Sequence, residues 1–167
     1  YQLANDIEIT AKFWMPIGLY ENYIGVFDGN GYTISGVKHS GTDYNRVGLF
    51  AYNAGTIQNL KVEGDIEGDD GVGLLTGYNS GTIINCLSSG TVTGGGESIG
   101  GLAGSSSGTT TAPGSLATVS GYRYVGGLSG HVEGTITNCY AQGNVTGTGY
   151  DIGGLLGRSY AAVQYCY

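Results

Sequence analysis

Apolar and polar positions recur along this chain in a fixed order. Five segments open with an aliphatic residue, glycine and then leucine: Val47-Gly48-Leu49-Phe50, Val72-Gly73-Leu74-Leu75, Ile99-Gly100-Gly101-Leu102, Val125-Gly126-Gly127-Leu128 and Ile152-Gly153-Gly154-Leu155. Their starts are 25, 27, 26 and 27 residues apart. A diverged copy, Ile24-Gly25-Val26-Phe27, opens 23 residues before the first of them. A Gly-Thr-Ile unit follows at Gly55-Thr56-Ile57, Gly81-Thr82-Ile83 and Gly134-Thr135-Ile136, with Tyr32-Thr33-Ile34 as its diverged form. Next come Asn59-Leu60, Asn85-Cys86, Asn138-Cys139 and Tyr165-Cys166, and then an apolar position flanked by polar ones at Ile66, Val92, Val119 and Val145. Each copy therefore predicts about three short strands with Gly or Asn/Ser turns between them.

A unit of 23–27 residues cannot bury its own apolar face, but stacked units can. The pattern predicts an all-β fold, a parallel β-solenoid (β-helix) of roughly six to seven coils, with like residues stacked about 4.8 Å apart. The crossover rule makes it right-handed. Residues 1–167 are expected to form one domain: a lead-in coil over 1–23, a diverged coil over 24–46, and regular coils starting at 47, 72, 99, 125 and 152. The predicted inward columns are Val47/Val72/Ile99/Val125/Ile152, Phe50/Leu75/Leu102/Leu128/Leu155, Ile57/Ile83/Ile136/Val163 and Ile66/Val92/Val119/Val145. The coil that starts at Ile99, the fourth when the diverged copy is counted, is degenerate. Thr110 stands where Ile belongs and Pro113 where Cys belongs, so the stretch from Ser105 to Gly114 is expected to leave the sheet as a loop.

Composition sharpens this picture. Glycine accounts for 34 of 167 residues with only 2 prolines, which excludes collagen and argues for turns and close backbone stacking. Net charge is -7 from 13 acidic and 6 scattered basic residues, so no basic face for nucleic acid exists. No apolar run approaches the roughly 20 residues of a membrane-spanning helix, and no membrane insertion is expected. The polar, acidic, Gly/Ser/Thr-rich composition points outside the cell. A chain that opens at Tyr1 reads as part of something longer.

The unit Val-Gly-Gly-Leu-x-Gly-x-x-x-Gly-Thr-Ile-x-Asn-Cys-Tyr-x-x-Gly-x-Val-Thr-Gly resembles the GLUG repeat of bacterial surface proteins. Residues 125–147 follow it almost position by position, and 72–94 nearly as well. The stretch Trp14-Met15-Pro16-Ile17-Gly18 and then Phe27-Asp28-Gly29-Asn30-Gly31-Tyr32-Thr33-Ile34 looks like the segment that leads into such repeats. The resemblance implies an extracellular or cell-surface module of a large bacterial protein, of the kind found in adhesin-like proteins and relatives of IgA-specific metalloendopeptidases. It implies no reaction. The expectation is a rigid, non-enzymatic stalk or adhesion domain. The alternatives are a glycan-binding face and an accessory domain that holds substrate for a protease elsewhere in the chain. A host protein or a glycan is the expected partner.

Candidate chemistry is sparse. Cys86, Cys139 and Cys166 occupy one position of the repeat, which Leu60 and Val37 take earlier, so they predict a buried apolar column. Adjacent-coil spacing also permits a Cys139–Cys166 disulfide, which Cys86 is too distant to join. Without CxxC or a companion His, no zinc site is expected. Asn59, Asn85 and Asn138 predict a stacked amide column at a corner. The acidic stretch from Glu63 to Asp70 reads as solvated charge, because no calcium-loop spacing is present. Neither metal nor cofactor is expected. The only histidines, His39 and His131, lie several coils apart, and no His-Glu-x-x-His or Gly-x-Ser-x-Gly occurs. A Thr column, Thr33, Thr56, Thr82 and Thr135, is too irregular for an ice-binding face. Exposed tyrosines remain: Tyr78, with Tyr52 near the same corner, and Tyr122, Tyr124, Tyr140 and Tyr150 off the inward columns. Such rings stack on sugars or anchor partners.

Leu128→Asp is expected to place an unpaired charge in a close-packed column and unfold the domain, read as loss of a cooperative thermal transition by circular dichroism.

Overall fold

The computed structural model describes residues 1–167, all in β-structure, turns and bends, with no helix. Every strand pairing is parallel and joins residues 26–30 positions apart, the signature of a solenoid of about six turns. Four sheets make up its faces. A long sheet carries strands Ile7–Glu8, Thr33–His39, Lys61–Gly68 and Leu87–Gly94, then the broken strands Gly114–Ser115 with Thr118–Gly121 and Tyr140–Ala141 with Val145–Gly147. A five-stranded sheet stacks Phe50–Asn53, Thr76–Asn79, Ala103–Ser106, Ser129–Val132 and Leu156–Ser159. A six-stranded sheet stacks Val26–Asp28, Thr56–Gln58, Thr82–Ile84, Thr109–Thr111, Thr135–Thr137 and Val163–Gln164. The fourth sheet is short, with Glu97–Gly100, Arg123–Gly126 and Ile152–Gly153, and is continued toward the N-terminus by single bridges Val47↔Val72↔Ile99.

Two corners of each coil turn through the left-handed region. One column is Asn30, Asn59, Asn85, Ala112, Asn138 and Tyr165, with φ between 50° and 56°. The other is Arg46, Gly71, Ser98, Tyr124 and Asp151, with φ between 52° and 67°. Asn tolerates this conformation better than other non-glycine residues, which explains its recurrence at the first corner. There Asn85 Nδ2 donates to Asn59 Oδ1 at 3.0 Å, and Asn59 Nδ2 donates to Asp28 Oδ1 at 3.2 Å. A third turn needs glycine for closeness rather than for φ. A Cβ on Gly55, Gly81, Gly108 or Gly134 would collide with the carbonyl of the glycine one coil earlier.

The predicted columns form the core. Val47, Val72, Ile99 and Val125 are buried, as are Ile57, Ile83, Ile136, Ile66, Val92 and Val119, within one 24-residue apolar cluster. The last coil is its open end, where Ile152 and Val163 are exposed. Each Leu or Ile fully buried here contributes about 1.5–3 kcal/mol.

The structure corrects several expectations. Phe50 is inward and fully buried, but it pairs with Thr76, not Leu75. Its coil is one residue shorter between Val47 and the five-stranded sheet, and the shortfall is absorbed before Phe50. Ile24 is 81% exposed, and Val26-Phe27-Asp28 pair with Thr56-Ile57-Gln58, so this segment is an early copy of the Gly-Thr-Ile strand. The residue that pairs with Phe50 from the preceding coil is Ile17. Val37 is buried but pairs with Gly64, outside the cysteine column. Thr33 pairs with Lys61 on the long sheet, away from Thr56, Thr82, Thr109 and Thr135, which do form a column on the six-stranded sheet.

The degenerate repeat does not loop out. Thr109–Thr111 pairs with Thr82–Ile84 on one side and Thr135–Thr137 on the other, and Thr110 is buried. Its hydroxyl lies 3.4 Å from Ser106 Oγ, which also accepts from Asn79 Nδ2 at 3.1 Å. Asn79 Oδ1 in turn accepts from Asn53 Nδ2 at 2.7 Å. A buried polar ladder, Asn53–Asn79–Ser106–Thr110, thus runs through three coils, and Thr110 is its terminus. Pro113 fits because the equivalent amides of Leu60, Cys86 and Cys139 make no backbone hydrogen bond, so proline forfeits none.

Asn79→Ala should leave Asn53 and Ser106 without their buried partner and cost about 2 kcal/mol, measured by urea titration.

Candidate functional site

The five predicted tyrosines fall in three places. Tyr140 stacks on Tyr167 at 5.9 Å, beside the corner of the long sheet. Tyr124 and Tyr150 meet edge to face at 6.5 Å, and Tyr122, about half exposed, accepts at its carbonyl from the Gly149 amide of the next coil. Tyr78 stands apart, stacked on Tyr52 with ring centroids 4.9 Å apart and an interplanar angle of 27°. Its hydroxyl lies 2.9 Å from Ser107 Oγ, which fixes the ring.

Register explains these positions. Tyr52, Tyr78, Ser105, His131 and Arg158 form one column on the five-stranded sheet. The left-handed column Arg46, Gly71, Ser98, Tyr124 and Asp151 runs beside it. Between the two columns lies a slot along the solenoid axis. Toward the C-terminal end the chain fills it with its own side chains. Tyr124 lies 5.9 Å from His131 there, and the Arg158 guanidinium sits 4.2 Å from the Tyr124 ring and donates to its hydroxyl at 2.8 Å. Arg158 is also held by Asp151 at 2.7 Å. Burial works against its charge, but the Asp151 hydrogen bond and carboxylate outweigh it and raise its pKa. Arg123 pairs with Glu97 and stacks on Tyr124 and Tyr150.

Toward the N-terminal end the slot is open, a cleft of about 520 Å³. One wall is Tyr52 and Tyr78, the other carries Arg46, Asp70 and Glu97, and Gly71 and Gly77 leave the floor bare. Asp70 Oδ1 accepts the Glu97 amide at 2.6 Å. The sequence places Tyr52 at the same corner as Tyr78 but does not disclose the cleft between the two columns. The signal was present in the alternation of large residues (Arg46, Tyr52, Tyr78) with small ones (Gly71, Ser98, Ser105), but it appears only once the two columns are set side by side.

The histidines serve packing and do not meet. His39 is buried between the rings of Phe13 (4.5 Å) and Tyr44 (5.0 Å), with Nδ1 2.9 Å from the Glu67 carbonyl. The acidic stretch lies along strand Lys61–Gly68, and no three Asp, Glu, His or Cys residues converge there or elsewhere on a metal-sized site. Asp28 has a lowered pKa, first because Gln58 donates to it, then because the Asn30 amide and Asn59 do. Cys139 and Cys166 form a disulfide with Cα atoms 4.6 Å apart. Cys86 is free and buried, its Sγ 3.3 Å from the Ile84 carbonyl.

Residues 121–146, the coil that carries Tyr122, Tyr124, Tyr140 and Cys139, match the GLUG motif. The chain carries the GLUG motif. A protein of Evansella cellulosilytica named as a Gly-rich membrane protein is 41% identical over 98 residues, which is 51% of this chain and 11% of that relative. Halomucin of Haloquadratum walsbyi is 44% identical over 142 residues, 82% of this chain but 2% of halomucin. The chain thus corresponds to a small part of each. Among solved structures, an immunoglobulin A1 protease-like protein of Bacteroides ovatus superimposes with a TM-score of 0.68 at 20% identity, over all of this chain and 67% of that one. At that identity the likeness shows the fold alone. The open cleft lies outside the matched GLUG segment, in coils whose corner residues are small.

Burial pushes the Cys86 thiol up to about 12. Native protein is therefore expected to resist alkylation by iodoacetamide at about pH 8.5, where an ordinary thiol is half ionised, and to react fully in denaturant, as read by mass spectrometry.

Proposed function

We propose that this GLUG chain is a rigid, non-catalytic repeat module of a secreted or cell-surface protein, a stalk that sets distance and orientation. The observation that carries the reading is the continuous parallel pairing from Ile7 to Gln164, in which each interior coil is bonded to both neighbours and the only register shift is a bulge between Ile34 and Val37. Rigidity follows, because bending would have to break ladders on several faces at once.

Other observations support the location. A disulfide persists in oxidising compartments, and the Cys139–Cys166 bond clamps the last coil. The names of the two relatives, a membrane protein and a halomucin, agree with a surface setting. The non-catalytic reading draws on the spent side chains: His39 is walled in by rings, and the Cys86 thiol is buried and protonated. Substrate holding for a protease in a longer chain has no observation of its own in its favour.

Single-molecule stretching tests the stalk reading. The oxidised module should unfold cooperatively, with the turn between Cys139 and Cys166 withheld from extension. Reduction should lengthen the unfolded contour by about 90 Å, the reach of the 27 residues released. Gradual extension at low force, without a cooperative step, would count against a load-bearing rod.

A further inference from the structure

We infer that the open part of the slot, over Tyr52 and Tyr78, binds a neutral oligosaccharide. The first argument compares the slot with itself. Where the corner residue is Tyr124, the chain fills the space with its own aromatic ring and the planar Arg158 guanidinium, stacked and hydrogen-bonded. Where the corner residues are Gly71 and Ser98, the same space is left as a cleft of about 520 Å³, within the size range of small-ligand sites. Its occupant should therefore satisfy similar chemistry: a flat apolar face for stacking and polar groups at the rim.

The walls specify that occupant further. Tyr52 and Tyr78 present a preformed aromatic wall, held by their own stacking and by the Tyr78–Ser107 contact, so little ordering is needed on binding. Opposite them, Asp70 has one carboxylate oxygen committed to the Glu97 amide and the other uncommitted. Arg46 makes no ion pair and no side-chain hydrogen bond. Asn22 and Asn45 stand at the rim. A pyranose has an apolar C–H face for the tyrosines and peripheral hydroxyls. Those hydroxyls donate to Asp70 while accepting from Arg46, which no simple ion does. Glu97 is already neutralised by Arg123, leaving Arg46 and Asp70 to balance, so a neutral glycan fits better than an acidic or basic one. An Arg- or Lys-bearing peptide would meet the unpaired Arg46.

The test uses the oxidised chain and two variants chosen to keep the fold. Tyr78→Ala removes one stacking ring. Ser98→Tyr places a tyrosine at a corner position where the chain already accepts Tyr124 at φ 52°, and should plug the cleft as Tyr124 plugs its own coil. The probes are neutral cello-, xylo-, manno-, galacto- and N-acetylglucosamine oligosaccharides, screened by saturation-transfer NMR and quantified by calorimetry, with an arginine-rich and an aromatic peptide as comparators. The expected result is binding of at least one neutral glycan by the wild type, weakened at least tenfold in both variants, with melting temperatures unchanged. The proposal is overturned if the wild type binds none of the sugars, if binding survives both variants, or if only a peptide occupies the cleft. None of those outcomes touches the stalk reading, which rests on coil register.

Discussion

The backbone hydrogen bond between a residue and its counterpart one coil away is the interaction on which everything else depends. The chain makes 108 backbone–backbone hydrogen bonds against three ion pairs, so the fold is held by peptide groups and buried aliphatics rather than by charge. The ladder also sets the composition. Coils bonded in register along four faces bring corner backbones so close that a Cβ collides with the carbonyl below, and glycine becomes obligatory at Gly55, Gly81, Gly108 and Gly134. Its entropic cost is offset because each coil is fixed on both sides by a partner of the same shape.

Identical neighbours also impose a rule on polar residues. A buried amide in one coil needs a polar group at the same height in the next. Asn53 and Asn79 meet this by bonding to each other, and the chain passes the requirement on to Ser106 and then Thr110 before returning to Val132 in the next coil. A residue that looks like decay in one repeat, Thr110 among isoleucines, is the partner that another repeat needs.

This marks the boundary of what the residues disclose on their own. The solenoid, most inward columns and the asparagine corner were legible, because each depends on period and residue type. The register of Phe50 was not, since a one-residue deletion can be absorbed at several points between Val47 and Gly55 and only packing chooses among them. The retention of Pro113 in the sheet was not, because it depends on which amides are left unbonded. Ile24 misled because Ile-Gly-Val-Phe resembles the coil opening while pairing as a Gly-Thr-Ile strand. The tyrosines were recognised as outward, but grouping them needed the two adjacent columns in space. Tyr78 belongs with Tyr52, not with Tyr124 or Tyr140.

The column Leu60, Cys86, Pro113, Cys139 and Cys166 has an evolutionary consequence. Its amides are idle in the ladder wherever they have a coil on each side, so the position can drift among Leu, Cys and Pro without disturbing the neighbouring strands. Cys139 and Cys166, stacked neighbours in this column, have Cα atoms 4.6 Å apart, within the span of a disulfide. A single substitution to cysteine beside an existing one is then enough to install a covalent clamp between two coils. An array that grows by duplicating its repeat can in this way acquire or discard cross-links one coil at a time, tuning its durability while its architecture stays fixed.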